Sequence, residues 1–373
     1  MKNNCRFWKC RLGSAVTTVM LFMGATLAQS SSAQEQSLPA LGANIDNTSV
    51  SGLSSGAFMT SQFFMAHSAN MVGAGIVAGG PYLCAQSYPG PRLTNAMTSC
   101  MDPLTADVGP NTPLLIQKTN TLASAHQIDP VNDVTKARLY LFSGTEDHTV
   151  STIVMDQTYA FFKKLGVPDE QIKYVKKIAA GHAFLTENNQ DNACGVTKSP
   201  YINDCDIPQA ENILAQIYPS FKPAPVNAQA KAIPFNQKEF IKDQPFTSMD
   251  DTGYVYIPDQ CKSGTVCSVH VVFHGCEQGA TVKVADNKFI GDKYYDGTGY
   301  NAFADANNLI MLYPQVHPSE KLTSTEPYNP KGCWDFWGYS IPSNPTSGDY
   351  FSANAPQIKA VYSMVQRLAG HRE

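Results

Sequence analysis

The chain has 373 residues, 43% of them hydrophobic and 16% charged, with a formal net charge of −4. That length allows one large α/β domain or two modest ones, and the apolar share is too high for a disordered chain. Four bases, Lys2, Arg6, Lys9 and Arg11, lie near the start; without them 23 positive residues face 31 negative ones, about −8, and no basic patch is present to meet the phosphates of a nucleic acid.

In chain order, residues 1–33 read as an export signal. A basic start precedes a mostly apolar stretch from Leu12 to Ala28, then small and polar residues, with cleavage sites after Ala33 or Ala28. The uncharged run is nearly long enough to span a bilayer. Ser14, Thr17, Thr18 and two glycines interrupt it, which favours a cleaved leader over an anchor. No later segment is apolar enough to enter a membrane, so the mature protein is expected in the periplasm or outside the cell.

Cys5 and Cys10 leave with the signal, and Cys84, Cys100, Cys194, Cys205, Cys261, Cys267, Cys276 and Cys333 remain. An even number in an exported chain points to disulfides, with 105 pairings open to eight cysteines. Nearest-neighbour pairing couples Cys84 with Cys100, Cys194 with Cys205 and Cys261 with Cys267. A metal site is the rival reading, and neither a CxxC pair nor clustered histidines supports it. No cofactor is expected.

Thr48 to Ser51 reads as a short strand entering the turn Gly52-Leu53-Ser54-Ser55-Gly56, and Ala57 to Ala69 as a helix packing Phe58, Phe63, Phe64 and Met65 inward. Val72 to Ala78 is a buried strand, and the irregular stretch after it holds Cys84 and Cys100. The strand Ala137 to Phe142 stops at Gly144-Thr145-Glu146-Asp147. A helix over 151–165 and a strand from Gln171 to Ile178 lead to Gly181-His182. Such alternation predicts a parallel sheet covered on both faces. Residues 219–234, rich in proline and alanine, read as a connection within one catalytic domain spanning 40–370. Beyond it come strands at Tyr254–Ile257, Ser268–Phe273 and Leu309–Tyr313, a helix around Asn301–Ala306 and a final amphipathic helix from about Ala355 to Leu368.

Gly52-x-Ser54-x-Gly56 between a strand and a helix is the pattern of the α/β-hydrolase nucleophile elbow, where a tight turn exposes the serine above the sheet. Taken alone the pattern occurs often by chance, and its strand–turn–helix setting is what makes Ser54 a nucleophile candidate. A serine hydroxyl needs a base, and the base an orienting acid. Asp147 and His182 follow in the expected order, each just past a strand's C-terminal end, where catalytic groups of open parallel sheets gather. Glu146, His148, His67, His126 and His317 are competitors with weaker context. One oxyanion donor is expected at the amide of Ser55. The other belongs on a loop that normally precedes the serine, yet here the HG-type loop His274-Gly275-Cys276 lies near the other end of the chain. Circular permutation accounts for this: the C-terminal part supplies the early strands, and the last helix ends where Asn44 to Ser51 begins.

With these residues placed, the chain resembles the polyhydroxybutyrate depolymerases of the circularly permuted, single-domain type. The resemblance rests on Val50-Ser-Gly-Leu-Ser-Ser-Gly56, Gly144-Thr-Glu-Asp-His-Thr-Val150, Gly181-His182, Phe273-His-Gly-Cys-Glu-Gln278 and Asn329-Pro-Lys-Gly-Cys-Trp-Asp-Phe-Trp337. It implies a permuted α/β-hydrolase fold and a Ser54, Asp147, His182 triad. It further implies oxyanion donors at the Ser55 and Cys276 amides and a short-chain 3-hydroxyalkanoate polyester as substrate. Beside it stands a Cys276–Cys333 bridge that fixes the oxyanion loop and brings Trp334 to the cleft; the alternative is that Cys276 pairs elsewhere. Trp334 and Trp337 are candidate substrate contacts, core filling being the commoner fate of tryptophan. No separate polymer-binding module follows the domain, so adhesion to polymer would fall to apolar residues around the cleft. The rival functions are a feruloyl or acetyl esterase acting on carbohydrate, and a non-catalytic polymer-binding protein on the same scaffold.

Overall fold

The computed structural model describes residues 36–224, 230–243, 246–341 and 349–371; the expected signal over 1–33 and residues 225–229 of the 219–234 connection lie outside them. In chain order the elements are β1 (Asn44–Leu53), α1 (Ser55–Ala66), β2 (Met71–Val77), α2 (Arg92–Met97), α3 (Thr112–Ser124), β3 (Arg138–Gly144), α4 (Thr152–Lys164) and β4 (Ile172–Ile178). Then follow β5 (Phe184–Thr186), β6 (Asn192–Ala193), β7 (Ile202–Asp204), α5 (Gln209–Ile217), β8 (Ile233–Asn236), β9 (Thr252–Tyr256), α6 (Asp259–Lys262) and β10 (Ser268–Phe273). The surface hairpin β11 (Lys283–Ala285) and β12 (Lys288–Phe289), α7 (Tyr300–Asn307), β13 (Leu309–Tyr313) and α8 (Pro356–Ala369) complete the order.

The main sheet runs β4-β3-β2-β1-β10-β13-β9-β8. The first six strands are mutually parallel, and β9 pairs antiparallel with both β13 and β8. The central strands are buried along their whole length, as in β10 (SVHVVF) and β13 (LIMLY), because helices cover both faces. Successive residues of a strand point to opposite faces. Val269, Val271 and Phe273 therefore join one apolar cluster with α1 and α8, while Val272 joins the other with α5 and α7. The expected parallel α/β sheet is what forms. At the rim β4 is only half covered, and exposed Lys173, Lys176 and Lys177 line it, charges that discourage edge-to-edge pairing.

Three local differences have simple causes. α1 stops at Ala66 rather than Ala69, where a short 3-10 turn, Ser68–Asn70, begins. Four helices stand where no element was expected, the short α2 and α6 and the longer α3 and α5. In α3, capped by the Asn111 side chain accepting the Leu114 N–H at 3.2 Å, only Thr112, Leu115 and Thr119 are buried, so its apolar stripe is faint. In α5 the buried Ala210, Ile213, Leu214 and Ile217 do form a 3.6-residue stripe, over just nine residues. No helix among the described residues is long and apolar enough to cross a membrane.

All eight cysteines among the described residues are paired, Cys84–Cys100, Cys194–Cys205, Cys261–Cys267 and Cys276–Cys333. Bonds of this kind form and persist in oxidising compartments.

Three histidines are enclosed and kept neutral by burial: His67, lowered to about 4, His270, to about 3, and His274, to about 4. His270 sits on β10 between Ser49 and Ser51 of β1, at 2.6 and 2.8 Å. His67 lies flat on Tyr362 at 3.6 Å, and its Nε2 has no hydrogen-bond partner among the described residues. An unfolded histidine titrates near 6.5, so each of these groups contributes stability that is present above that pH and lost as pH falls toward 4. His67→Phe keeps the stack and removes both the titration and the orphan nitrogen. Its unfolding free energy, from urea melts, should fall about 2 kcal/mol less than that of the unaltered protein between pH 7 and 4.5; equal falls would show that His67 is not held neutral.

Candidate active site

Ser54 stands between β1 and α1 with φ 57° and ψ −124°, outside the regions ordinary residues favour. Such a conformation costs about 1–3 kcal/mol and persists only where the surroundings enforce it. The enforcement here is close backbone packing. A Cβ on Gly52 would lie 2.4 Å from the Gly56 carbonyl oxygen, and one on Gly56 2.4 Å from the carbonyl oxygens of both Phe273 and His274. Either side chain would push α1 off β10. The Ser54 N–H donates to the Val77 carbonyl at 3.0 Å, tying the elbow to the end of β2.

Asp147 follows the C-terminal end of β3. Its Oδ1 accepts the N–H groups of Thr149 and Val150 at 2.8 and 2.9 Å, so the carboxylate is aimed before any catalytic partner is considered. Its Oδ2 lies 2.7 Å from His182 Nδ1, with the two side chains 1% and 6% exposed respectively. With a carboxylate at Nδ1, the proton of a neutral imidazole resides there and Nε2 is left as the basic atom. His182 follows β4, and its backbone N–H donates to Thr197 Oγ1 at 2.8 Å. The segment carrying Thr197 is stapled by Cys194–Cys205, and the Tyr201 ring stands edge-on to the imidazole at 6.5 Å.

The third contributor is the end of β10. His274 is buried, its Nδ1 donating to the Gly275 carbonyl at 2.7 Å and its Nε2 accepting the Val316 N–H at 3.2 Å. A Cβ on Gly275 would sit 3.2 Å from Ser54 Cβ, which places this loop against the elbow. Cys276 is bonded to Cys333, and the next residue's N–H, that of Trp334, donates to Ser55 Oγ at 3.2 Å. The Cys276 amide donates to no protein acceptor among the described residues. The Ser55 amide opens α1, where N–H groups lack intrahelical partners and the helix end favours negative charge.

Ser54, His182 and Cys276 line one cavity of about 170 Å3, together with Thr149, Thr197 and Tyr201. A wider concavity of about 930 Å3 beside α8 is open and holds none of these groups. The remaining competitors fall away by position: Glu146, His148 and His126 are exposed, His67 is stacked in the core, and His317 lies 3.8 Å from Glu326. Sequence reasoning did not single out Thr149, Thr197, Tyr201, Glu277 or Lys331 as lining residues. Thr149, Glu277 and Lys331 had a signal, since each falls inside a motif that carries the resemblance; Thr197 and Tyr201 had none, because only the fold of the 192–205 segment brings them to His182.

Beside the Ser54–His182 cavity runs an apolar groove of about 410 Å3, walled by Leu93, Met97, Tyr328, Phe336 and Trp337 and meeting the cavity at Met101, Cys276 and Lys331. Trp337 stands edge-on to Phe336 at 4.9 Å, and Phe336 stacks on Phe58 of α1 at 4.2 Å. The expectation for Trp334 is corrected. Its side chain is 0% exposed, packed edge-on to Phe273 at 4.7 Å and tilted against His274 at 5.7 Å, so it supports the corner where β10 enters the Gly275–Cys276 turn and has no surface to lay along a substrate. Burial pushes the Asp335 carboxyl up, although it accepts the N–H groups of Trp337, Gly338, Tyr339 and Ser340; that loop sets where Trp337 stands. Among the described residues no three His, Cys, Asp or Glu side chains gather as metal ligands.

No family model matches the chain. It is 40% identical over 342 residues to a poly(3-hydroxybutyrate) depolymerase of Delftia acidovorans, covering 89% of this chain and 61% of that protein, so it spans about three fifths of that relative's length. It is 35% identical over 342 residues to a polyhydroxybutyrate depolymerase of Talaromyces funiculosus, covering 88% of this chain and 93% of that one. Two solved structures superpose with a TM-score of 0.75 at 32% identity over 90% of this chain and 99% of theirs. One is a PHB depolymerase from Penicillium funiculosum, the other a serine-to-alanine variant of a PHB depolymerase complexed with an R3HB trimer.

Proposed function

Because the chain belongs to the polyhydroxybutyrate depolymerase family, we propose that it is an exported serine esterase that hydrolyses poly(3-hydroxybutyrate) or a related short-chain polyester. The observation carrying this reading is the 2.7 Å contact of buried Asp147 with His182, which itself lines one cavity with the elbow serine beside an apolar groove. His182 Nε2 takes the Ser54 proton as Oγ attacks the ester carbonyl, and the Ser55 and Cys276 amides hold the oxyanion. The tetrahedral intermediate collapses, His182 returns the proton to the departing alkoxide, and the alcohol end of the polymer leaves. Water then attacks the acyl-enzyme with His182 again as base, releasing the carboxylic acid and restoring Ser54. Asp147 keeps the proton on Nδ1 and stabilises the imidazolium. No metal or organic cofactor enters these steps.

A polyester chain is apolar between its ester carbonyls, and the groove offers the same mixture: Leu93, Met97 and Tyr328 are 49%, 64% and 59% exposed beside Trp337. Exposed apolar side chains grouped in this way mark an interaction surface, and we assign adhesion to the polymer to them. The export signal over 1–33 and the disulfides fit secretion. Circular permutation is supported by the meeting of the domain's first strand and last helix: the Leu41 and Ala43 N–H groups donate to the Leu368 carbonyl, each at 3.0 Å, so α8 finishes beside the start of β1. Counted from β8, the sheet reads first, second, fourth, third and then fifth to eighth, with Ser54 after the fifth strand.

Incubation of the mature protein with amorphous poly(3-hydroxybutyrate) is expected to release soluble 3-hydroxybutyrate and short oligomers. Feruloyl and acetyl sugar esters should be cleaved at least about tenfold more slowly, the scale on which an apolar site separates substrates. Turnover of the sugar esters with no soluble product from the polymer would overturn the assignment.

A further inference from the structure

The turn after Cys276 holds an enclosed side chain that the proposed chemistry does not use. Gln278 is 1% exposed. Its Oε1 accepts the Gly275 N–H at 2.6 Å, while its Nε2 donates to the carbonyls of Pro200 at 2.8 Å and Tyr201 at 3.2 Å. A primary amide has one accepting and one donating end. Reversed, it would set its NH2 against an N–H and its oxygen against two carbonyls, so the orientation is dictated by both sides at once. One amide thus spans two walls of the catalytic cavity. Gly275 packs against Ser54. The 197–201 stretch receives the His182 N–H at Thr197 and sets the Tyr201 ring edge-on to the imidazole.

The turn itself needs restraint. Glu277 adopts φ 61°, a left-handed conformation that side chains disfavour. It is tied down by the Tyr201 hydroxyl donating to its Oε2 at 2.8 Å and by its own N–H donating to the Lys331 carbonyl at 2.7 Å. Without Gln278 the side of this turn nearest Ser54 would lose its hydrogen-bonded link to the 197–201 stretch beside His182, and the Cys276 amide would lose its aim.

We propose that Gln278 is a positioning residue for the ester hydrolysis described above: it locks the Gly275–Cys276 turn to the 197–201 stretch that holds the His182 backbone, so that oxyanion donor and base keep one spacing. The proposal rests on the reading of Cys276 as an oxyanion donor. Interactions realised only in the transition state affect kcat rather than substrate binding, and a displacement of about 1 Å at such a site costs about 100-fold.

The test compares Gln278→Met, of similar volume but without the hydrogen bonds, with Gln278→Glu, which retains the acceptor. Each is assayed on p-nitrophenyl butyrate with active sites counted by a serine-directed phosphonate, and each is measured for thermal midpoint and for inhibition by butylboronic acid, which mimics the tetrahedral intermediate. Gln278→Met should lose about 10- to 100-fold in kcat per labelled site with KM within about twofold, and boronate affinity should fall in the same proportion. Gln278→Glu should recover part of that loss only as pH falls, when its protonated carboxyl can donate to the Pro200 or Tyr201 carbonyl as the amide does. If the Met variant does not fold, the Glu variant is judged against the unaltered protein by the same three readouts. A lower thermal midpoint with unchanged kcat per labelled site, or a raised KM with unchanged kcat, would overturn the proposal. No ester hydrolysis by the unaltered protein would instead count against the proposed function.

Discussion

Ser54→Ala should leave a folded protein whose ester hydrolysis is at least about 10,000-fold slower, the scale seen when a nucleophile that works with a base is removed. The fold should survive for a specific reason. Ser54 precedes α1 at the cap position, yet its hydroxyl makes no capping hydrogen bond, so alanine deprives the helix of nothing. The strained φ of 57° is held by the Gly52, Gly56 and Val77 contacts, all of them backbone, and these remain. The check is an initial-rate assay on p-nitrophenyl butyrate beside a circular-dichroism melt. A variant melting within a few degrees of the unaltered protein and hydrolysing within tenfold of its rate would remove Ser54 from the mechanism.

Asp147→Asn tests the other half of the site, and the structure specifies how it should fail. The Oδ1 position accepts two backbone N–H groups, from Thr149 and Val150, so an asparagine must place its carbonyl oxygen there. Its NH2 then faces His182 Nδ1, a contact 2.7 Å long with the carboxylate, and can only donate to it. The imidazole is forced to carry its proton on Nε2, the atom that should receive the Ser54 proton. A loss of about 10,000-fold in kcat is expected near neutral pH, with KM little changed, as for a triad whose histidine holds the wrong tautomer. Loss of less than tenfold would mean that Asp147 does not orient the base.

Several features of this site were legible from neighbouring residues alone. The glycines flanking Ser54 are demanded by backbone contacts of 2.4 Å, and a requirement that severe shows as a sequence pattern. Asp147 and His182 each follow a strand, the buried β3 and the half-covered β4, and the end of a strand is a local event. The three short disulfide loops join sequence neighbours, separated by 16, 11 and 6 residues, where closing a loop is entropically easiest. α3 left little trace because its buried face is three residues wide.

What the chain's order could not convey is which surfaces meet. Trp334 and Trp337 stand three residues apart in one motif, yet the first fills the corner between Phe273 and His274 while the second walls the groove. Nothing in their composition separates them; the Asp335 loop and the packing of α1 do. Gln278 likewise acquires its place only when β10 and the Tyr201 loop come together 77 residues apart. By itself the sequence determined the elbow, the strand ends and the periodic faces, because steric limits and burial act over a few residues. The tertiary structure decided the groove, the buried tryptophan and the links between loops, because those depend on distances that exist only after the sheet has closed in the order β4-β3-β2-β1-β10-β13-β9-β8.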